Sequence, residues 1–353
     1  MISCAFVIPG DIDLPTGGYA YDRRVLARLP ACGVAIRHIA LPGSYPAPTV
    51  DDLRATQATL AALPARTTLL IDGLAFGAMP ADLVRGIVQP IVALCHHPLA
   101  LEAGLSEARQ RDLHASETAA LAHARHVIAT STTTARTLIA DFATPPQKVT
   151  VAEPGTERAA RATGTGAPLQ LLAVGSVVPR KGYDVLIDAL GGLVDHDLAH
   201  HDWRLTIAGA DDRSPETTQR LHQRIAQSGL ASRILLAGTA SEAELDRLYA
   251  AADIFVMPSL FEGYGMVLTE AMARGLAIVC TTGGAAAETV PDAAAMKVSP
   301  GDALAFGAAL GAVIEDADRR LRMGDAAWMA AQTLPTWDDT ARIIADVIRK
   351  VAA

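Results

Sequence analysis

Cysteine is nearly missing from this chain: Cys4, Cys32, Cys95 and Cys280 lie far apart, and no two form a CxxC pair. That spacing supports neither a zinc site nor a dithiol, so reduced core thiols in a cytoplasmic protein are expected. Aromatic residues make up 4% of the 353 positions, too few for a base-stacking surface. The formal charge is -8, with the first 166 residues balanced and the excess acid all in the remainder. No basic stripe exists of the kind that nucleic-acid binding requires. No apolar run approaches the roughly 20 residues of a membrane span. The opening "MISCAFVIPGD" has no basic n-region and no small-residue cleavage site, so export is not expected. "VIPGDIDLPTGG" contains no GxGxxG after the first apolar run, which argues against a dehydrogenase, and no Gly-Lys-Ser/Thr marks a Walker loop.

What is present is alternation. Half of the chain is hydrophobic, enough for two cores in domains of about 150 to 180 residues each. Short apolar runs at 3–9, 34–41, 67–72, 90–96, 126–130 and 148–152 alternate with helix-length segments. A second set follows at 170–175, 204–209, 233–238, 253–259 and 276–280. Uninterrupted apolar runs read as strands buried on both faces, hence parallel sheets covered by helices. "SEAELDRLYAAA" opens with Ser241 and carries Glu244 three residues later, a capping-box signature. The Pro-, Gly-, Thr- and Ala-rich stretch "EPGTERAARATGTGAPLQ", residues 153–170, reads as a linker. The expected fold class is therefore α/β, with two doubly wound Rossmann-like domains, 1–165 and 166–334, facing across a cleft. A last helix in 335–353 is expected to cross back to the first domain. Ligands of such sheets bind beyond the carboxyl ends of the strands.

Two segments carry the chemistry. "MPSLFEGYGMVLTEAMARGLAIV" sets Glu262 and Glu270 apart, with Gly263 and Gly265 between them. Glycine costs about 1 kcal/mol inside a helix, so a helix is predicted to start near Met266, with Glu262 on the loop and Glu270 one turn in. Free N–H groups at such a start suit a phosphate, and flanking acids can accept from sugar hydroxyls. Glutamates that merely complement a helix dipole give the same spacing. "LLAVGSVVPRKGYDVLIDAL" is a strand, a turn at Gly175, then Arg180 and Lys181 at a helix entrance. This reads either as a pyrophosphate clamp or as a solvated basic turn.

Taken together, these segments resemble the retaining, nucleotide-sugar-dependent glycosyltransferases of family four, which adopt the GT-B fold. The resemblance is carried by "GSVVPRKG", "LYAAADIFVMPSLFEGYGMVLTEAMARG" and "TWDDTARIIADVI", and more loosely by "PGDIDLPTGGY", "ALCHHP", "ATSTTTARTLIADF" and "KVTVAEPG". It implies that Glu262 contacts donor-sugar hydroxyls, helped by Gly263 and by the backbone N–H groups of Gly265 and Met266. It implies that Glu270 accepts from the ribose, and that Arg180 and Lys181, beside Gly175, neutralise the leaving diphosphate. Gly17 and Gly18, in what resembles the family's N-terminal glycine loop, would admit the phosphate and acceptor to the first domain's backbone. His96, or alternatively His97, would face the reacting sugar. Ser176 stands where family members commonly carry an arginine, which puts donor affinity or identity in question.

The implied reaction moves a hexose-type sugar from a nucleoside diphosphate to a hydroxyl on a saccharide, small molecule or lipid-linked acceptor. No cofactor and no metal are expected. Two other functions fit the same architecture: a UDP-N-acetylglucosamine 2-epimerase-like isomerase, and a catalytically inactive nucleotide-sugar binding protein. Asp11–Asp13 and Asp195–Asp197 match the metal-binding Asp-x-Asp of the other major glycosyltransferase fold by chance, and His196, His200 and His201 read as a solvated turn. Arg23, Arg24 and Arg28 suggest at most weak peripheral contact with an anionic membrane, at its inner face.

Overall fold

The computed structural model describes residues 2–194 and 201–353; Asp195–Asp197 and His200 of the chance motifs lie outside them. The chain divides into unit 1, Met1–Gly155 with Pro335–Ala353, and unit 2, Thr156–Leu334. Unit 1 is built on β1 (Ile2–Pro9), β2 (Val34–Leu41), β3 (Thr68–Asp72), β4 (Ile91–Cys95), β5 (His126–Ala129) and β6 (Val149–Val151). They form a parallel sheet in the order β2-β1-β3-β4-β5-β6. Unit 2 holds β7 (Leu169–Val174), β8 (Trp203–Ala208), β9 (Ile234–Gly238), β10 (Ile254–Met257), β11 (Ala277–Thr281) and β12 (Ala295–Val298). Their order is β12-β11-β10-β7-β8-β9, again parallel.

The apolar runs of β7, β10 and β11 are nearly continuous because each of these strands feeds two cores. Leu171, Val256 and Val279 pack on one face with Leu186 and Phe306. Their chain neighbours Leu172, Phe255 and Ile278 pack on the other with Tyr249 and Leu268. Complete burial of one such side chain contributes about 1.5–3 kcal/mol, so apolar residues dominate these strands.

Strand order also locates the ligand end. From β7 the chain goes one way to β8 and β9, then crosses back to β10 on β7's other side. The carboxyl ends of β7 and β10 therefore flank the point where the winding reverses, the usual ligand position in an open α/β sheet.

Three differences from the sequence reading have physical causes. The division between units falls at Gly155/Thr156 and not at 165/166, because residues of the expected linker pack on unit 2. Ala162 N–H donates to Arg274 O at 2.8 Å, Thr163 N–H to Ala250 O at 3.0 Å, and Arg161 pairs with Asp325. Strand β12 was not anticipated; it is a four-residue edge strand that is mostly half-buried, so it lacks the apolar run that marks its neighbours. Gly17 and Gly18 form the first turn of the helix Gly17–Arg28 and are not part of a loop, since the Thr16 side chain caps that helix by accepting from Tyr19 N–H at 3.1 Å.

The helix Trp337–Ala352 belongs to unit 1. It opens with a capping box formed by Thr336 and Asp339. Thr340 Oγ1 donates to Glu153 O at 2.6 Å, and a Cβ on Gly155 would lie 2.1 Å from Trp337 N.

Candidate functional site

In unit 2 the two chemical segments meet. Gly175 follows β7, and Tyr183 Oη donates to its carbonyl at 2.8 Å. A Cβ at Gly175, whose φ is 150°, would lie 2.8 Å from Lys181 Cε, so the turn leaves room for the lysine to pass. Pro179–Lys181 makes one 3-10 turn, closed by Gly182 in left-handed conformation at φ 61°. Its missing side chain matters, because a Cβ there would sit 2.4 Å from Pro258 O at the exit of β10. The two corners are thus locked together, and Leu260 N–H donates to Arg180 O at 2.7 Å.

At this junction Glu262 gathers three donors. Lys181 Nζ lies 2.6 Å from Oε1, Arg180 Nη1 3.0 Å from Oε2, and Ser259 Oγ donates to Oε1 at 2.7 Å. Glu262 is buried, and both cations are mostly so. Burial alone would raise the carboxyl's pKa, but Lys181 and then Arg180 overcome it and hold it down to about 2. The main chain of Glu262 is fixed as well: its N–H donates to Gly283 O at 3.2 Å and its O accepts from Ala285 N–H at 2.8 Å. Ser176 sits in the turn, its carbonyl accepting from Val178 N–H at 3.0 Å.

The helix after the glycines runs Met266–Met272, entered through Gly265 at φ 89°. Gly263 lies in the loop between Glu262 and that entry. Glu270 sits one turn in, where Tyr249 Oη donates to its Oε2 at 2.8 Å. Arg274 stacks over the Tyr249 ring at 4.4 Å and pairs with Asp246. The two glutamates therefore serve different surroundings, one between cations and one beside a buried tyrosine.

Unit 1 has a separate charged cluster. His96 follows β4, and its Nε2 lies 3.2 Å from Asp22 Oδ1 and 3.3 Å from Asp72 Oδ2. The Tyr21 ring meets the imidazole edge-on at 5.2 Å, and a Cβ on Gly18 would touch it at 3.4 Å. Burial by itself would lower the His96 pKa; Asp22, with Asp72, lifts it instead to about 10. Asp22 is itself pushed up by burial, against the pull of His96. His97 points elsewhere, pairing with Glu102 at 3.0 Å. Gly17 faces open space. Among the described residues this cluster is where three potential metal ligands gather, within 4.8 Å of one another; a metal ion would have to displace the Nε2 proton that the two carboxylates share.

Asp22, Asp72, Tyr249 and Ser259 were not picked out from sequence. Asp72 had a signal, as the last residue of an apolar strand before a glycine. Asp22 had a weaker one, since it shares a helix face with Val25 and Leu29. Of the chance motifs, Asp11 and Asp13 only form a turn, with Asp13 N–H donating to Asp11 Oδ1 at 2.9 Å. Arg23 ties down its own loop by donating to Ile12 O and Leu14 O. No helix among the described residues is long and apolar enough to cross a membrane.

Residues 156–328, nearly all of unit 2, match the family described as glycosyl transferases group 1. A D-inositol 3-phosphate glycosyltransferase of Salinispora tropica is 30% identical over 253 residues, covering 66% of this chain and 52% of the relative. The chain spans about half the length of the curated relatives it matches. The sucrose-phosphate synthase of Thermosynechococcus elongatus shares the fold with a TM-score of 0.82 at 19% identity, over 98% of each chain. HepE of Anabaena, solved in complex with UDP-glucose, gives 0.78 at 18% identity over 98% of this chain and 99% of its own. Through the family match the second unit belongs to the glycosyl transferases of group 1, which supports the resemblance to GT4-like glycosyltransferases, and the two sheets have the GT-B fold.

Proposed function

We propose that the protein is a retaining hexosyltransferase that uses a nucleoside diphosphate sugar and needs no metal. The observation that carries this reading is the meeting of Arg180, Lys181 and Glu262 at the reversal point of the unit 2 sheet. Cleavage of the anomeric C–O bond leaves negative charge on the diphosphate. Two cations held in place before that charge develops stabilise it without reorganisation, the largest contribution to be expected here. The acceptor oxygen bonds to the anomeric carbon, and its proton passes to an oxygen of the departing phosphate, on the face the leaving group vacates. Configuration is thereby retained, and no protein base or metal takes part. Glu270, oriented by Tyr249, accepts from the ribose hydroxyls. The backbone N–H groups of Gly265 and Met266, with Gly263, help seat the donor. In unit 1 we assign a part in turnover to His96 in preference to His97, because two buried carboxylates hold it. The names of the relatives, a D-inositol 3-phosphate glycosyltransferase and a mannosylfructose-phosphate synthase, support transfer to a hydroxyl acceptor.

A thermal-shift panel of UDP-, GDP- and ADP-sugars tests the donor, followed by transfer assays with and without acceptors. One nucleotide series should stabilise the protein, and Lys181→Ala should lower turnover at least about tenfold, since loss of one charge-stabilising donor can cost about a hundredfold or more. Epimerisation of a UDP-sugar without any acceptor, or wild-type turnover in Lys181→Ala, would defeat the reading.

A further inference from the structure

The next step rests on the donor reading above and concerns how the site tells a donor from spent product. In the free chain both cations intended for the diphosphate are already engaged by Glu262. We propose that Glu262 is an exchangeable counter-anion: it holds Arg180 and Lys181 until a diphosphate takes them, and the hydroxyls of the attached sugar then replace them as its partners.

The geometry leaves Glu262 little alternative. A diphosphate carries more negative charge than one carboxylate and competes for the same two cations. Glu262 cannot follow them, because its backbone is anchored to Gly283 and Ala285. It cannot turn to water either, being 6% exposed. Once the cations shift to phosphate, Ser259 Oγ is the donor left to it among the contacts described, and an uncompensated buried carboxylate is strongly unfavourable. A donor sugar supplies new O–H groups at that moment; a bare nucleoside diphosphate does not. Ser176 adds no cation beside β7, so the competition is over Arg180 and Lys181. Glu262 therefore favours the intact nucleotide sugar and helps to expel the product. It acts on the diphosphate through the two cations, and on the sugar directly.

Calorimetric titration of the full chain tests this, comparing the bare nucleoside diphosphate with its nucleotide sugar in the absence of acceptor. In Glu262→Gln the bare diphosphate should bind about tenfold tighter, a usual size for coupling between two ligands of one site. The nucleotide sugar should bind no tighter, and turnover should fall. Ser259→Ala keeps both ion pairs and removes Glu262's remaining support, so it should weaken the bare diphosphate more than the nucleotide sugar. That variant decides the matter if Glu262→Gln does not fold. Parallel weakening of both ligands in either variant, the signature of a merely structural carboxylate, overturns the counter-anion role while leaving the donor site intact. Failure of the wild-type protein to bind any nucleoside diphosphate overturns both.

Discussion

Glu262 combines two properties that sequence cannot display together: it is buried, and it is charged. Its carboxyl lies near 2 against an ordinary value of 4.5. A group depressed in this way stabilises the folded state above its unfolded value and loses that contribution as pH falls through the folded one. The window is therefore roughly pH 5 to 2, and the contribution is about 3 kcal/mol. Urea unfolding of the wild type and Glu262→Gln should show the wild type more stable at pH 7, with the gap closing by about that amount on acidification. Other carboxylates titrate in both proteins and cancel in the comparison, so parallel pH curves would contradict the burial and pairing described. The residue itself was legible from "FEGYGMVLTE"; its partners were only half so. Arg180 and Lys181 stood out as cations at a corner, but nothing in a linear string brings them to Glu262, which for Lys181 lies 81 positions away. The cluster around His96 was less legible still. Asp22 lies in "YAYDRRVLARLP", where an acid among arginines reads as a surface residue despite sharing a helix face with Val25 and Leu29, and the fold of β3 and β4 brings Asp72 and His96 to it.

Among elements, legibility followed burial. Strands β1, β7 and β10 were readable because both their faces are buried over most of their length, which favours apolar residues at successive positions. Strand β12 sits at the edge and needs no such run. The corners after β7 and β10 were readable as glycine-bearing turns, yet which glycine is indispensable depends on contacts between the corners. Gly182 combines a left-handed φ with a carbonyl, Pro258 O, 2.4 Å from where a Cβ would stand, whereas Gly17 has ordinary helical backbone and open space. Gly182→Ala should therefore cost more than about 2 kcal/mol, since left-handed strain of roughly 1–2 kcal/mol adds to a backbone collision. Gly17→Ala should stay within about 0.5 kcal/mol. Chemical denaturation of the two variants decides between this picture and one in which the corner yields; equal effects would mean that the β7 and β10 corners are not locked.

For the molecule as a whole, chain order and structural order differ: unit 1 is completed by residues that the sequence delivers last. The helix Trp337–Ala352 buries Trp337, Ile344, Val347, Ile348 and Val351. It shares unit 1 with Tyr21, whose ring meets Trp337 edge-on at 5.5 Å and whose hydroxyl donates to Ala152 O at 2.9 Å. At about 1.5–3 kcal/mol for each large apolar side chain, the helix contributes on the order of 10 kcal/mol, comparable with the whole stability of a typical domain. The two cores of unit 2 are built from residues within Thr156–Leu334. A chain ending at Leu334 should therefore lose the fold of unit 1 and keep that of unit 2. Hydrogen exchange read by mass spectrometry should show β1 and β3 unprotected, while β7 and β10 remain as slow as in the full chain. Because Arg180, Lys181 and Glu262 all lie in the surviving unit, a nucleoside diphosphate should still slow exchange across 175–183 and 259–270. Loss of protection throughout would mean that unit 2 does not stand by itself, and retention throughout would mean that the last helix is dispensable.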